Sequence, residues 1–194
     1  MSDLGTYALR IALVIALIGI GAGVAAGLRA RRLPGGAPDG DAAAWTRVAE
    51  RAVLLAFACV TLAMGALFTA LANNDFSISY VAEHSARSMT LPYRLASLWG
   101  GQEGSLLLWL WMVVAYAAAA VVVHRRTSRS LMPWVAASLL GNAAFFLVLL
   151  NFVTLPFTRL APGEVLSDGA GLNPLLQHPA MMIHPLFLYS GFTG

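Results

Sequence analysis

The sequence predicts an all-α polytopic membrane protein. Of its 194 residues 59% are hydrophobic and only 11% charged, where a soluble domain carries roughly a quarter charged residues. Mean hydropathy is +0.73. Four apolar runs each approach the roughly 20 residues that cross a ~30 Å hydrocarbon core. No period-2 alternation suggests a barrel, so helices are the form in which the backbone satisfies itself in lipid.

The first span is read at about Leu4 to Leu28, rich in Ala and Gly. Its start lacks a basic n-region, since Asp3 is the only charge before Arg10, so it does not read as a cleavable signal. The second span is read at Ala52 to Ala72, the third at Leu106 to Val123 and the fourth at Leu131 to Val153. A fifth begins near Met181, and the chain ends at Gly194. Between the first two spans, RRLPGGAPDGDAAAW reads as a Pro/Gly/Asp linker without chemistry. Cys59, the single cysteine, lies within an apolar run. It forms neither a CxxC pair nor a CxxCH haem-attachment site.

All twelve basic residues are arginines, and they cluster at the ends of the apolar runs. The net charge of +3 is therefore a topology signal, not a nucleic-acid footprint. Arg29, Arg31, Arg32, Arg47 and Arg51 follow span one; Arg125, Arg126 and Arg129 follow span three. The positive-inside rule then places the N-terminus outside. The long loops 73–105 and 154–180 also face outside, with short interfacial helices expected in both. His124, beside Arg125, reads as a snorkelling interfacial side chain.

The external loops carry the candidate chemistry. In the first, Ser105 is a candidate cap for the third span, after a turn at Gly100, Gly101 and Gly104. Trp99, Trp109 and Trp111 read as an aromatic belt or as a stacking surface for a flat apolar ligand. Glu103 favours a helix N-terminus or serves a partner or proton role. Tyr80 to Arg94 reads as a short helix on the membrane, with His84, Arg87 and Arg94 turned to water or head groups. In the second loop, His178 and His184 each precede a proline, which biases them away from helical geometry. Ionisable groups at a membrane mouth are costly and usually functional. Their spacing of six does not suit two ligands of one metal on a helix face. One imidazole as an axial haem ligand needs no local partner.

The strings YVAEHSARSMTLPYRLASLWGGQEGSLLLW and GLNPLLQHPAMMIHPLFLYSGFTG, in this order, resemble the N-terminal part of the CcmF family, the membrane subunits of bacterial cytochrome c haem lyase. The resemblance covers about Asp75 to Gly194; the first 70 residues match only in general character. It implies a multi-pass protein of the bacterial inner membrane whose functional loops face the periplasm. Such proteins accept haem from a periplasmic haem chaperone and help attach it to the CxxCH thiols of apocytochrome c, beside other cytochrome c maturation subunits. It further implies an external tryptophan-rich WWD segment flanked by two haem-ligating histidines, and a separate b-type haem between two transmembrane histidines.

His184, in IHPLFLYSG, occupies the position of the first flanking histidine, so the resemblance implies it as an axial ligand of haem iron. His178 falls where the family varies, and no ligand role is carried onto it; Gln102 is a position of Gln or His. Arg87, Arg94 and Arg159 are candidates to pair with haem propionates, because guanidinium binds carboxylate bidentately. Trp99 is a candidate haem-site contact. The WWD cluster, the second flanking histidine and the b-type haem ligands do not occur in this stretch. The expectation is therefore a truncated product, inactive alone, whose enzymatic part lies in a larger complex. Two other function classes stay open: a transporter or channel module, and a structural membrane scaffold. A transporter predicts an ionisable or unwound midspan; Asn142, the most polar residue noted within spans two to four, reads instead as helix–helix glue. A paralogue dedicated to one cytochrome, such as a nitrite reductase assembly factor, also stays open.

Overall fold

The computed structural model describes residues 1–32, 40–161, 163–164 and 166–194. Its helices are α1 (Ser2–Arg32), α2 (Gly40–Ala72), α3 (Ser79–His84), α4 (Leu91–Ala96), α5 (Gln102–His124), α6 (Met132–Phe152) and α7 (Pro179–Thr193). Single 3-10 turns occur at Ser97–Trp99 and Pro174–Leu176. Four helices, α1, α2, α5 and α6, are long and apolar enough to cross a membrane. These are the four expected spans, and the chain is an all-α multi-pass membrane protein.

Boundaries differ from the expectation where the chain leaves its most apolar part. α2 begins at Gly40 rather than Ala52. Ala42 and Ala49 are buried there, so packing extends the helix beyond the segment that hydropathy alone marks. Half of the expected linker is thus helix, while 33–39 lies outside the described residues. α1, at 31 residues, runs for roughly 46 Å at 1.5 Å per residue, longer than the ~30 Å core. α5 begins at Gln102, with Gly101 as its N-cap and no side-chain cap. Ser105 is therefore inside the helix and not its cap; its hydroxyl donates to the Trp99 carbonyl at 3.2 Å.

α1 packs against α2 and α6, and α5 packs against the same two helices. Hydrophobic burial does not drive helix association within lipid, so close van der Waals fit must. The α1 face supplies it with small residues: Ala8, Ala12, Ala16 and Ala26 are buried. Gly19 faces Leu140 and Ala52, and a Cβ there would lie 2.6 Å from that of Ala52 and run into Leu140. Gly21, two residues on, has open space around it. Buried Asn151 ties the same interface, donating from Nδ2 to the carbonyls of Leu147 at 2.7 Å and Leu9 at 3.3 Å. Asn142, expected as helix–helix glue, is exposed. The interhelical polar contact is about two and a half turns further along, at Asn151.

The two long loops join at one end of the bundle. The Ser79 N–H donates to the Thr158 carbonyl and the Leu160 N–H to that of Ser77, both at 2.9 Å, around an antiparallel bridge of Ile78 with Arg159. The Ala170 N–H donates to Ala82 at 2.8 Å and that of Gly171 to Ser85 at 3.1 Å. Asp168 Oδ1 accepts from the Arg87 and Gly169 N–H groups, each at 2.8 Å. These two bonds, that from Arg87 first, hold the Asp168 carboxyl below its usual range. The contact's stabilisation is present above the ordinary carboxylate pKa and fades as pH falls through the lowered one.

The helix expected over Tyr80 to Arg94 is in fact two, α3 and α4. Tyr80, Val81 and Ala82 are buried in the protein instead of lying on lipid. The Tyr80 hydroxyl donates to the carbonyls of Ser97 and Leu98, both at 2.8 Å, and accepts from the Gly101 N–H at 3.2 Å. Burial pushes the phenol well above its ordinary pKa, so it stays a donor. Gly104 is required here, since a Cβ would run into the Leu98 carbonyl and the Tyr80 hydroxyl.

Two stability measurements in detergent test this packing. Gly19→Ala is expected to destabilise by about 1–3 kcal/mol through overpacking, whereas Gly21→Ala is neutral or stabilising by up to about 1 kcal/mol. Tyr80→Phe takes the side-chain donor from the Leu98 carbonyl and the acceptor from the Gly101 N–H, while the Ser97 carbonyl keeps the Gly100 N–H, and is expected to cost about 1–3 kcal/mol. Equal melting temperatures for Gly19→Ala and Gly21→Ala, or an unaltered Tyr80→Phe, would contradict the packing.

Candidate functional site

α7 presents the candidate ligand. Its N-cap is His178, with extended backbone (φ −106°, ψ 134°), and Pro179 fills the first helical position. The His178 Nδ1 accepts from the Ala180 N–H at 3.2 Å. Its ring is therefore a helix cap, which accounts for a histidine here without any ligand role. His184 was expected at a proline-induced break, yet α7 runs through it, and Pro185 stands inside the helix. The proline removes a single intrahelical bond, the one to the Met181 carbonyl, and a helix can continue through such a loss.

The His184 side chain is exposed. No hydrogen bond or ion pair among the described residues engages it. On a helix surface its neighbours are the residues three and four away. Met181, Phe187 and Leu188 occupy those positions and are 45%, 73% and 40% exposed. An open imidazole thus stands in an exposed apolar patch. That arrangement suits a flat apolar ring whose metal accepts one axial nitrogen. An enclosed haem site between two helical histidines does not fit the described residues, because His184 is the only histidine in the interior of a long helix.

α7 docks on α5 through aromatic rings. Trp109 stacks on Tyr189 at 5.6 Å and 20°, and also meets Phe146 at 5.0 Å and Phe192 at 6.2 Å. The Trp111 indole N–H donates to Thr61 Oγ1 at 3.1 Å, tying α5 to α2. Both tryptophans therefore join helices, beyond the interface anchoring expected of them. Trp99 is half-buried at the end of the 3-10 turn and packs on the core edge.

The three candidate arginines differ in how committed they are. Arg94 donates from Nε to the Met89 carbonyl at 2.8 Å and from Nη1 to that of Ala72 at 3.1 Å. Ala72 ends α2, so Arg94 closes an orphan helix carbonyl. It is turned inward, not to water as expected. Arg159 pairs with Asp3 at 2.7 Å on the surface, joining the second loop to α1. The Arg87 guanidinium lies 5.8 Å from the Phe76 ring centre; among the described residues it makes no contact ion pair, and its charge acts on Asp168 through space. None of the cavities described below or at the loop seam is lined by His184, Trp99, Arg87, Arg94 or Arg159.

His84, expected to be solvated, is half-buried and stacked on Tyr80 at 4.4 Å. Its Nδ1 lies 3.0 Å from the Tyr80 carbonyl. A carbonyl only accepts, so Nδ1 is the donor of this bond. The i, i+4 spacing of Tyr80 and His84 was a sequence signal for this pairing. The Asp168 contact with the other loop carried no such signal.

No protein-family model matches the chain. It is 38% identical over 142 residues to the probable cytochrome c-type biogenesis protein NrfE of Escherichia coli, covering 73% of the chain and 25% of that protein. It is 35% identical over 138 residues to the cytochrome c-type biogenesis protein CcmF of Haemophilus influenzae, covering 71% and 21%. With the cytochrome c-type biogenesis protein CycK of Rhizobium meliloti the identity is 34% over 192 residues, covering 99% of the chain and 26% of CycK. A solved structure, the cytochrome c heme lyase CcmF, matches 99% of the chain and 28% of its own length, with a TM-score of 0.77 and 28% identity. The chain thus spans about a quarter of the length of these relatives. Similar in sequence to the biogenesis proteins and in fold to the lyase, it belongs to the CcmF family of cytochrome c biogenesis proteins, whose longer members it matches over their N-terminal part.

Proposed function

We propose that this chain is the haem-receiving N-terminal part of a cytochrome c maturation protein of the bacterial inner membrane. The paired loops face the periplasm. Haem arrives there from a periplasmic chaperone and is joined to the CxxCH thiols of an apocytochrome c, with other maturation subunits as partners. The observation that carries this reading is His184: an exposed, unpartnered imidazole in an apolar patch on a helix docked by Trp109.

In this reading haem is substrate. Its iron takes one axial nitrogen, and its vinyl groups supply the carbons that become thioethers. The chain's own contribution is position. His184 holds the ring, while Met181, Phe187 and Leu188 exclude water from one face. Arg87 and Arg159 pair with the propionates, Arg159 by exchanging its exposed partner Asp3. Arg94 supports the loop that carries Arg87 through its bonds to Met89 and Ala72, and Trp99 packs on the core edge where that loop meets α5. Among the described residues no pair of helical histidines offers a site for the b-type haem that the family resemblance implies.

The test is a visible absorption spectrum of the full-length protein purified with haem supplied. His184→Ala is expected to lose the haem held at the loops and to abolish cytochrome c maturation, with helicity unchanged. Full maturation in that variant would contradict the ligand role. Arg87→Gln is expected to weaken haem binding about tenfold without altering melting. Arg94→Gln is expected instead to lower stability by about 1–3 kcal/mol, because it frees two carbonyls. The reverse pattern would exchange the two assignments.

A further inference from the structure

The end of the bundle opposite the paired loops carries a second constellation. α1 and α5 end there, and α2 and α6 begin there. Arg47 and Glu50 of α2 line a cavity of about 270 Å3 with Arg125 and Arg129 from the turn between α5 and α6. A second cavity, about 440 Å3, lies between α1, α2 and that turn, and Arg126 and Arg129 line it. Thr46 and Arg129 belong to both, so the two cavities adjoin.

Four arginines therefore line two adjoining cavities, and among the described residues Glu50 is the one carboxylate that lines them. The Arg159–Asp3 pair is the only contact ion pair among the described residues; Glu50 acts on Arg125, Arg129 and Arg47 through space, so one carboxylate faces four cations and the site stays net positive. The turn that carries three of them is ordered. The Thr127 and Ser128 N–H groups donate to the His124 carbonyl at 3.1 and 2.9 Å, and those of Leu131 and Met132 donate to Ser128 at 3.0 and 3.1 Å. Arginines spaced for topology alone need only sit in water near lipid. These frame a concavity with small apolar walls at Ala26, Ala30, Ala42 and Pro133 and with Thr46, Thr127 and Ser130 as further polar lining.

The position indicates the class of ligand. Arg29 lies 5.7 Å from the ring centre of Trp45, a half-exposed aromatic at the same end. An arginine–tryptophan pair of this kind marks the head-group level of a bilayer. Neither cavity is lined by an aromatic ring that could stack a nucleobase. Phosphate oxygens satisfy guanidinium forks bidentately, and small apolar walls at the lipid boundary accept the first carbons of an acyl glycerol. We propose that this pair of cavities binds the phosphodiester head group of an anionic phospholipid, held between Arg47, Arg125, Arg126 and Arg129. The proposal is independent of any haem chemistry.

Native mass spectrometry of the full-length protein in nonionic detergent tests it, with phosphatidylglycerol, phosphatidylcholine and inorganic phosphate as probes. Phosphatidylglycerol is expected to bind at least tenfold more tightly than phosphatidylcholine. The double variant Arg125→Gln/Arg129→Gln is expected to lose about tenfold of that affinity, and Arg87→Gln, at the opposite end, to lose none. Equal binding of the two lipids by the unaltered protein would overturn the proposal, and that comparison stands even if the double variant does not fold. Selectivity unchanged in a folded double variant would also overturn it. So would inorganic phosphate binding at this site without phosphatidylglycerol preference, which assigns a soluble anion instead.

Discussion

The backbone hydrogen bonds between the two long loops are what the rest of this end of the molecule depends on. Segments 77–85 and 158–171 are far apart in sequence, and each is too short and polar to hold a shape alone. Joined through Ile78 with Arg159, Ala82 with Ala170 and Ser85 with Gly171, they satisfy one another's polar groups. A chain that leaves a bilayer must find such partners, because an unpaired buried backbone group costs several kcal/mol. The pairing gives the chain leading into α7 a fixed origin. Tyr80 then fastens the first loop to the start of α5, the helix on which α7 docks.

The exposed imidazole of His184 gains its meaning from that framework. A histidine on a free helix end would sample too many positions to hold a ring in a defined pose. Orientation is worth much in reactions between bound partners. Here Trp109 stacks on Tyr189, one and a half turns beyond His184, and Ser190 lies 3.8 Å from the Met112 sulfur. The docked side of α7 is thus distinct from the side that bears Phe187 and His184. Arg94, by closing the end of α2, and Arg159, by holding Asp3 of α1, connect the same loops to the bundle.

The bundle was legible in the sequence because lipid imposes a strong compositional rule, and the four runs of apolar residues obey it. The limits of the helices were less so. Gly40 to Arg51 is helical through packing of Ala42 and Ala49 on α1, which hydropathy does not measure. Asn151 escaped notice in favour of Asn142, since composition cannot tell which face of a helix meets a neighbour. The loops were the hardest part. Proline after His184 reads as a break, yet one lost hydrogen bond does not stop α7. His84 reads as a surface group until Tyr80 stacks on it. Long-range backbone pairing such as that of Ala82 with Ala170 leaves no periodic trace at all.

The most direct measurement of the loop pairing is hydrogen exchange at single amides of the protein in detergent. The amides of Ser79, Leu160, Ala170 and Gly171 are predicted to exchange slowly and together, since each is bonded to the opposite loop. Exchange of Leu160, Ala170 and Gly171 at the rate of an unstructured chain, while α5 and α6 stay protected, would contradict the account, because His184 would then have no fixed support.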